Sequence, residues 1–563
     1  MTAEMLMTLF GGLGLFLYGM TIMSDGLKNI AGDRMKRLLE ILTNNRLMGV
    51  LVGTVVTGII QSSSATTVMV VGFVNAGLMD LFQATGVIMG ANIGTTITAQ
   101  LIAFKITDYA TLAIGIGASI YLFAKKNKTK QIGTVILGFG VLFIGMNFMS
   151  DSMAPLRNHE GFKNLLVSVS SSPILGLLVG FAFTAIIQSS SASVGLLQAL
   201  AISGAFNNIP GVTPLELVVP IIMGQNIGTC VTAMLSSIGA SILAKRASFI
   251  HLIFNVIGTI IFMIIVGAIG LFSDGLNPIY KFIISISGTT MIDGQVIGDV
   301  SRQIANTHTL FNVFNTVILF PFGRGLVKLA EKALPGEEKE DLGGLKFLDE
   351  RILENPAIAV GQVVKETARM GRIALENMNK ALQAFFTEDE KLIEKVFEKE
   401  EVINQLNRDI THYLVKLSNS NLSEKDELRT TNLYHTVSDI ERIGDHSENL
   451  VELAQYRLEH NLSFSNIAID ELKGMIEKIN SMISDVITSL ETDNIDLART
   501  IYEKEEEIDE MEENYRAEHI HRLNKRLCQP SSGVIFLDIL SNLERIADHA
   551  TNISKTVLDL EKI

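Results

Sequence analysis

The sequence predicts an all-α chain in two parts: a polytopic membrane domain made of two inverted repeats with re-entrant helical hairpins, followed by a soluble six-helix bundle. Three observations carry this. Charge is partitioned, because 47 of the 60 acidic residues and 27 of the 46 basic ones follow Pro335, leaving net −20 after it and +6 before it. The earlier part consists of apolar runs near the roughly 20 residues that a bilayer requires. Within those runs one polar cluster occurs twice, as Gln61-Ser62-Ser63-Ser64-Ala65 and Gln188-Ser189-Ser190-Ser191-Ala192, 127 residues apart. These give a membrane domain over 1–334, with repeats at about 5–124 and 132–272 and a last span at 304–327, a linker over 335–351 and the bundle over 352–563.

Candidate spans fall at about 5–24, 83–104, 109–124, 132–150, 215–243, 248–272 and 304–327. The first has no basic leader and belongs to the repeat, so it reads as an uncleaved span. Stretches 49–80 and 173–206 are apolar at both ends and polar in the middle, as expected of two half-helices meeting at a tip. An unpaired hydroxyl or amide costs several kcal/mol in hydrocarbon, so such tips survive only where they face protein, water or ligand. Serine pairs also glue membrane helices together, and the duplication is what points to a site.

The repeat is wider than the clusters. Gly14 to Met20 with Met23-Ser24-Asp25 matches Gly140 to Met146 with Met149-Ser150-Asp151, and Gly90-Ala91-Asn92-Ile93-Gly94-Thr95 matches Gly224-Gln225-Asn226-Ile227-Gly228-Thr229. Each unit reads span, hairpin, span, span; an odd number of crossings inverts the second copy, as in many secondary transporters. Basic residues after the first, third and fifth spans place those loops in the cytoplasm by the positive-inside rule. The N-terminus and the loops at 151–172 and 273–303 are then outside and the tail in the cytoplasm, across the cytoplasmic membrane.

Composition excludes other classes. Cys230 and Cys528 lie in different parts, so neither a disulfide framework nor redox spacing is expected. The acidic tail argues against nucleic acid. A serine nucleophile lacks its elbow and its base, so the chain does not read as an enzyme. The clusters suit an anion instead. Phosphate needs convergent donors, which Ser62, Ser63, Ser64, Ser189, Ser190 and Ser191, turn N–H groups and half-helix N-termini offer. Sodium could neutralise it, held by Thr and Gln oxygens and by carbonyls freed where Gly94 and Gly228 interrupt helices. The alternative for the Asn-Ile-Gly-Thr inserts is a simple kink, and His251 and His308 read as core imidazoles.

The paired Gln-Ser-Ser-Ser and Asn-Ile-Gly-Thr motifs resemble the type II sodium-dependent phosphate cotransporters, in the bacterial branch with a C-terminal PhoU-like domain. The resemblance implies inorganic phosphate between the tips, at Gln61, Ser62, Ser63, Ser64, Gln188, Ser189, Ser190 and Ser191. It implies sodium nearby, for which the candidates are Gln61, Thr66, Asn92 and Thr95 in the first copy and Gln188, Ser193, Asn226 and Thr229 in the second. It also implies a homodimer. Thr67 and Thr96 become Val194 and Cys230 in the second copy, so the copies need not bind sodium equally.

In the tail, helical periodicity predicts six helices at about 354–386, 388–417, 425–460, 464–490, 493–527 and 532–560. They repeat as well: Asp439 to His446 recurs as Asn542 to His549, and Glu400 with Asn404 aligns with Glu505 and Asp509. Acids four apart share a helix face. Glu441 with Asp445, Glu505 with Asp509 and Glu544 with Asp548 are therefore candidates for a divalent metal, and the resemblance to PhoU points the same way. The alternative is a solvated acidic face. The whole reads as a sodium-coupled phosphate symporter with a cytoplasmic regulatory bundle. Phosphate efflux, another oxyanion, or a membrane-anchored phosphate sensor signalling through the tail remain the alternatives.

Overall fold

The protein is described by a computed structural model covering residues 2–40, 45–104, 109–206, 209, 212–273, 275–292, 295–336, 344–420 and 422–559. The chain divides into two compact units, Met1–Glu338 and Lys339–Ile563. Residues 337–343 of the 335–351 linker lie outside the described residues.

The first unit runs α1 (Ala3–Glu40), α2 (Arg46–Ile60), α3 (Ser63–Asn75), α4 (Leu81–Gly94), α5 (Thr96–Ala103), α6 (Ala110–Phe123), α7 (Asn127–Met153), α8 (Glu160–Ser170), α9 (Pro173–Ile187), α10 (Ser190–Ile202), α11 (Pro214–Ser236) and α12 (Ile242–Leu271). It ends with α13 (Pro278–Ser287), the hairpin β1 (Thr289–Ile292) and β2 (Gln295–Gly298), α14 (Val300–Leu319) and α15 (Gly323–Ala333). Among the described residues, six helical segments are long and apolar enough to cross a membrane. The second unit is α16 (Pro356–Thr387), α17 (Glu390–Ser418), α18 (Glu424–Glu459), α19 (Asn466–Thr492), α20 (Ile495–Asn524) and α21 (Pro530–Leu558). Their buried apolar faces follow the helical period that the sequence shows.

Glycine sets the packing of the first unit. A Cβ on Gly90 would lie 2.1 Å from Val50 O, and one on Gly94 2.5 Å from Thr54 O, so α2 and α4 touch backbone to backbone and run parallel. The second copy repeats this residue for residue: Gly224 against Leu177 O at 2.0 Å and Gly228 against Phe181 O at 2.7 Å lock α9 to α11. Between α1 and α7, Gly12 meets Gly145 O at 2.9 Å and Gly19 meets Gly138 O at 2.7 Å, an antiparallel contact. Small residues permit such approach where lipid gives no hydrophobic drive to associate.

Three expectations change. Gly228 does not interrupt its helix: α11 runs unbroken from Pro214 to Ser236, whereas the first copy ends α4 at Gly94 and restarts at Thr96. Both glycines are there for contact with a neighbour. The stretch 151–172, expected as a loop, holds the amphipathic helix α8, which turns by 109° into α9. The stretch 273–303 holds α13 and a two-stranded antiparallel hairpin pairing Thr289 with Gly298. The other elements among the described residues are helical.

Gly90→Ala and Gly224→Ala should each force one helix pair apart, at a cost of about 1–3 kcal/mol or more. The measurement is monodispersity and melting temperature of purified protein in detergent. Gly11→Ala, with open space at its Cβ position, should leave both unchanged.

Candidate functional site

The two polar clusters adopt one geometry. Helix α2 closes on Gln61 in the left-handed region, at φ 56°, ψ 23°, and α9 closes on Gln188 at φ 58°, ψ 21°. Each glutamine N–H is bonded to the threonine carbonyl a turn earlier, Thr57 O and Thr184 O, at 2.7 Å. The next serine begins a new helix: Ser62 Oγ accepts from Ala65 N and Ser189 Oγ accepts from Ala192 N, each at 3.2 Å. Two residues thus stop one helix and cap the next, as an αL C-cap and a serine N-cap do elsewhere. The first N–H groups of α3 and α10, on Ser63, Ser64, Ser190 and Ser191, have no carbonyl a turn behind them. The capping hydroxyls of Ser62 and Ser189 also keep their hydrogens to donate.

A threonine bond fastens each break. Thr57 donates to Thr66 Oγ1 at 2.9 Å, and Thr184 donates to Ser193 Oγ at 2.8 Å. Thr57 and Thr184 stand 127 residues apart, the spacing of the clusters, so the repeat itself was the signal that could have found them. Ser24 donates to Ile60 O at 2.5 Å, so a serine of the matched Met-Ser-Asp motif supports the first break.

The copies then diverge. Gln61 is buried; its Oε1 accepts from Thr98 at 2.8 Å and its amide nitrogen meets Gly58 O. Gln188 is exposed. Thr95 approaches Ser190, oxygen to oxygen, at 3.5 Å, which joins the insert of the first copy to the tip of the second. Thr229 instead donates to Gln225 O at 2.9 Å. Asn92 and Asn226 each donate to the carbonyl four residues back, Ile88 O and Ile222 O, at 2.8 Å. That fixes their side chains and turns both Oδ1 atoms away from their own helix. Asn226 Oδ1 lies 3.4 Å from His308 Nε2, so this histidine of α14 touches the predicted site rather than sitting apart in the core.

In the second unit the paired acids crowd one another. Burial, then Asp445, raises Glu441; burial, Asp509 and Asp548 raise Glu505; burial, Asp548 and Asp509 raise Glu544; burial and Asp548 raise Asp509. Burial and the charges of Asp445, Glu448 and Glu441 push Glu400 up to about 8. Glu400 lies against Gly444, with Asn377 Nδ2 at 3.4 Å from its Oε2. Such crowding favours positive charge, yet among the described residues no three acidic, histidine or cysteine side chains stand together as metal ligands. Between the two halves of the bundle, His446 Nδ1 meets Asn542 Oδ1 at 2.8 Å, and His549 Nδ1 meets Asp439 Oδ1 at 3.0 Å.

Comparison with known proteins covers both units. The Na+/Pi-cotransporter family pattern matches residues 15–151 and 145–288, and the PhoU domain pattern matches 367–454 and 472–557. Protein YjbB of Escherichia coli (strain K12), provisionally described as an inorganic phosphate export protein, is 23% identical over 557 residues, or 98% of this chain and 97% of its own length. The uncharacterised protein YqeW of Bacillus subtilis (strain 168) is 30% identical over 322 residues, or 57% of this chain and 96% of its own. The phosphate-specific transport system accessory protein PhoU homolog 1 of Thermotoga maritima is 27% identical over 199 residues, covering 35% of this chain and 84% of its own length.

Glu400 gives a pH prediction. Its proton is held more tightly folded than unfolded, so the stabilisation is complete below about 4.5 and is lost as pH rises towards about 8. Amide exchange in α17 and α18 of the full chain, corrected for intrinsic rates, should therefore show more frequent opening at pH 8 than at pH 6. Glu400→Gln should flatten that dependence.

Proposed function

The chain belongs to the Na+/Pi-cotransporter family and carries PhoU domains after its membrane unit, and from that premise we propose that it is a sodium-coupled carrier of inorganic phosphate, not an enzyme. The observation that carries this is the pair of matched breaks at Gln61-Ser62 and Gln188-Ser189, which present unused donors inside an apolar unit. Phosphate lies between them, held by Ser63, Ser64, Ser190 and Ser191 N–H groups and by the hydroxyls of both clusters, with the positive ends of α3 and α10 aimed at its charge. Gln61 and Gln188 border it.

Sodium offsets the buried anion, and each ion lowers the cost of binding the other. Its ligands are oxygens of Gln61, Thr66, Asn92 and Thr95, with Gln188, Ser193, Asn226 and Thr229 as the second set. The contact of His308 on Asn226 supports unequal use, because it occupies the oxygen that Asn92 leaves open to the first insert. The antiparallel α1–α7 contact supports inversion of the repeats. Gly12 with Gly145 and Gly138 with Gly19 exchange under the repeat, which for antiparallel helices requires an axis across them and so in the membrane plane.

The acidic bundle regulates from the cytoplasm, with Glu441, Asp445, Glu505, Asp509, Glu544 and Asp548 binding a divalent cation that relieves their repulsion. A homodimer in the cytoplasmic membrane is the assembly this reading implies. A second reading, export, is favoured by the description of the Escherichia coli relative, which matches over nearly the whole chain.

In proteoliposomes, labelled phosphate should accumulate with an inward sodium gradient and not with choline; equal uptake in both would remove the coupling. Ser63→Ala and Ser190→Ala should each weaken phosphate binding about tenfold or more, since a charge-assisted hydrogen bond contributes about 1.5–3 kcal/mol. Normal binding by both variants would reduce the clusters to helix glue.

A further inference from the structure

Apart from His308, the polar side chains of α12 and α14 are unused by the site above. Three buried oxygens stand on these two helices, Asn255 Oδ1 and Thr259 Oγ1 on α12 and Asn315 Oδ1 on α14, none with a hydrogen-bond partner among the described residues. Their orientation is fixed by the other end of each amide. Asn255 Nδ2 donates to His251 O at 3.0 Å and to Cys230 Sγ of α11 at 3.4 Å, and Asn315 Nδ2 donates across to Phe254 O at 3.2 Å. A carbonyl can only accept, so in both residues the nitrogen is the bonded end and the oxygen the free one.

The place is also fixed. A Cβ on Gly258 would lie 1.9 Å from Asn315 Oδ1, so that oxygen sits against the α12 backbone between the turns bearing Asn255 and Thr259. Phe262 and Phe311, with ring centroids 5.5 Å apart, close one end. One turn towards them Asn312, back-bonded to His308 O at 2.9 Å, leaves its own Oδ1 without a partner. The corresponding span of the first copy, α6, holds no asparagine or histidine. The three amide oxygens can only accept and the Thr259 hydroxyl can accept as well as donate, and an apolar interior that holds several unmet oxygens calls for a positive charge.

We propose that Asn255, Thr259 and Asn315 form a binding site for a monovalent cation between α12 and α14, outside the repeated tips. Neutral oxygen ligands suit a hard, singly charged ion. The choice of sodium rests on the coupling proposed above, whereas the location does not. Filling the site would tie α14 to α12, and so would set how firmly His308 is held against Asn226.

The test uses full-length protein in detergent without phosphate, melted in sodium, potassium or choline chloride. An ion that binds only the folded state raises the melting temperature with its concentration. A cation-specific rise is expected, with half-saturation shifted at least tenfold upward in Asn315→Leu and in Thr259→Val, and retained in Asn315→Asp. Thr259→Val keeps the side-chain shape, so it reports even if Asn315→Leu fails to fold. A response unchanged in Asn315→Leu and Thr259→Val, one lost in Asn92→Leu instead, or no cation-specific rise in wild type would each overturn the site. Sodium-independent phosphate uptake with stabilisation that depends on Asn315 and Thr259 would remove the coupling and leave this site standing. Sodium-dependent uptake with an unchanged Thr259→Val response would do the reverse.

Discussion

A helix cannot end in the middle of an apolar unit without leaving carbonyls and N–H groups unmet, and each costs several kcal/mol. The protein meets that constraint twice with one device. A left-handed glutamine returns its N–H to a threonine carbonyl, and a serine then caps the next helix. The threonine's own hydroxyl reaches across to the new helix, so the broken ends are bonded through side chain as well as backbone. What the cap cannot satisfy is the first pair of N–H groups in α3 and α10. The proposed anion site is that remainder, which explains why it needs no arginine or lysine.

Such breaks hold still only if the helices around them are rigid. The glycine contacts supply that, because carbonyls seated on Gly90, Gly94, Gly224 and Gly228 leave no room for sliding. Against this common frame the copies differ in detail: Gln61 is enclosed by Thr98 and Gly58 while Gln188 is exposed, and α4 stops at Gly94 while α11 continues past Gly228. Two chemically matched tips are therefore held in unlike surroundings. Under the proposed carrier function, that difference would let one tip be shut while the other is open.

Much of this was legible in the sequence, and the rest was hidden for identifiable reasons. The 127-residue offset marks both breaks, and the period of the acidic tail marks its six helices within a few residues. Thr57 and Thr184 share that offset but pass for ordinary helical threonines, since Thr commonly bonds its own helix. Gly228 looks like a helix break in sequence because glycine serves two ends, chain bending and close contact, and only the neighbour tells which. Helices α8 and α13 leave little mark in the sequence because they are short and amphipathic. The α12–α14 oxygens could not be read at all, since Asn315 reaches the α12 backbone at Phe254 only when the crossing of their helices is known.

The second unit shows the same divergence of duplicated parts, here driven by charge. Where the second half has Asp509, the first has Asn404, which removes one carboxylate from the set. Glu400 then lies buried beside Asn377 and Gly444, facing Asp445, Glu448 and Glu441, and retains its proton up to about 8. The aligned Glu505 is partly exposed and has Lys555 among its neighbours, so its shift is opposed by a positive charge that Glu400 lacks. One half therefore relieves its repulsion by keeping a proton, while the other keeps four acids, Glu505, Asp509, Glu544 and Asp548, that an external cation can relieve. Opening of the bundle is thus coupled to pH through its first half and, under the metal binding proposed above, to cations as well.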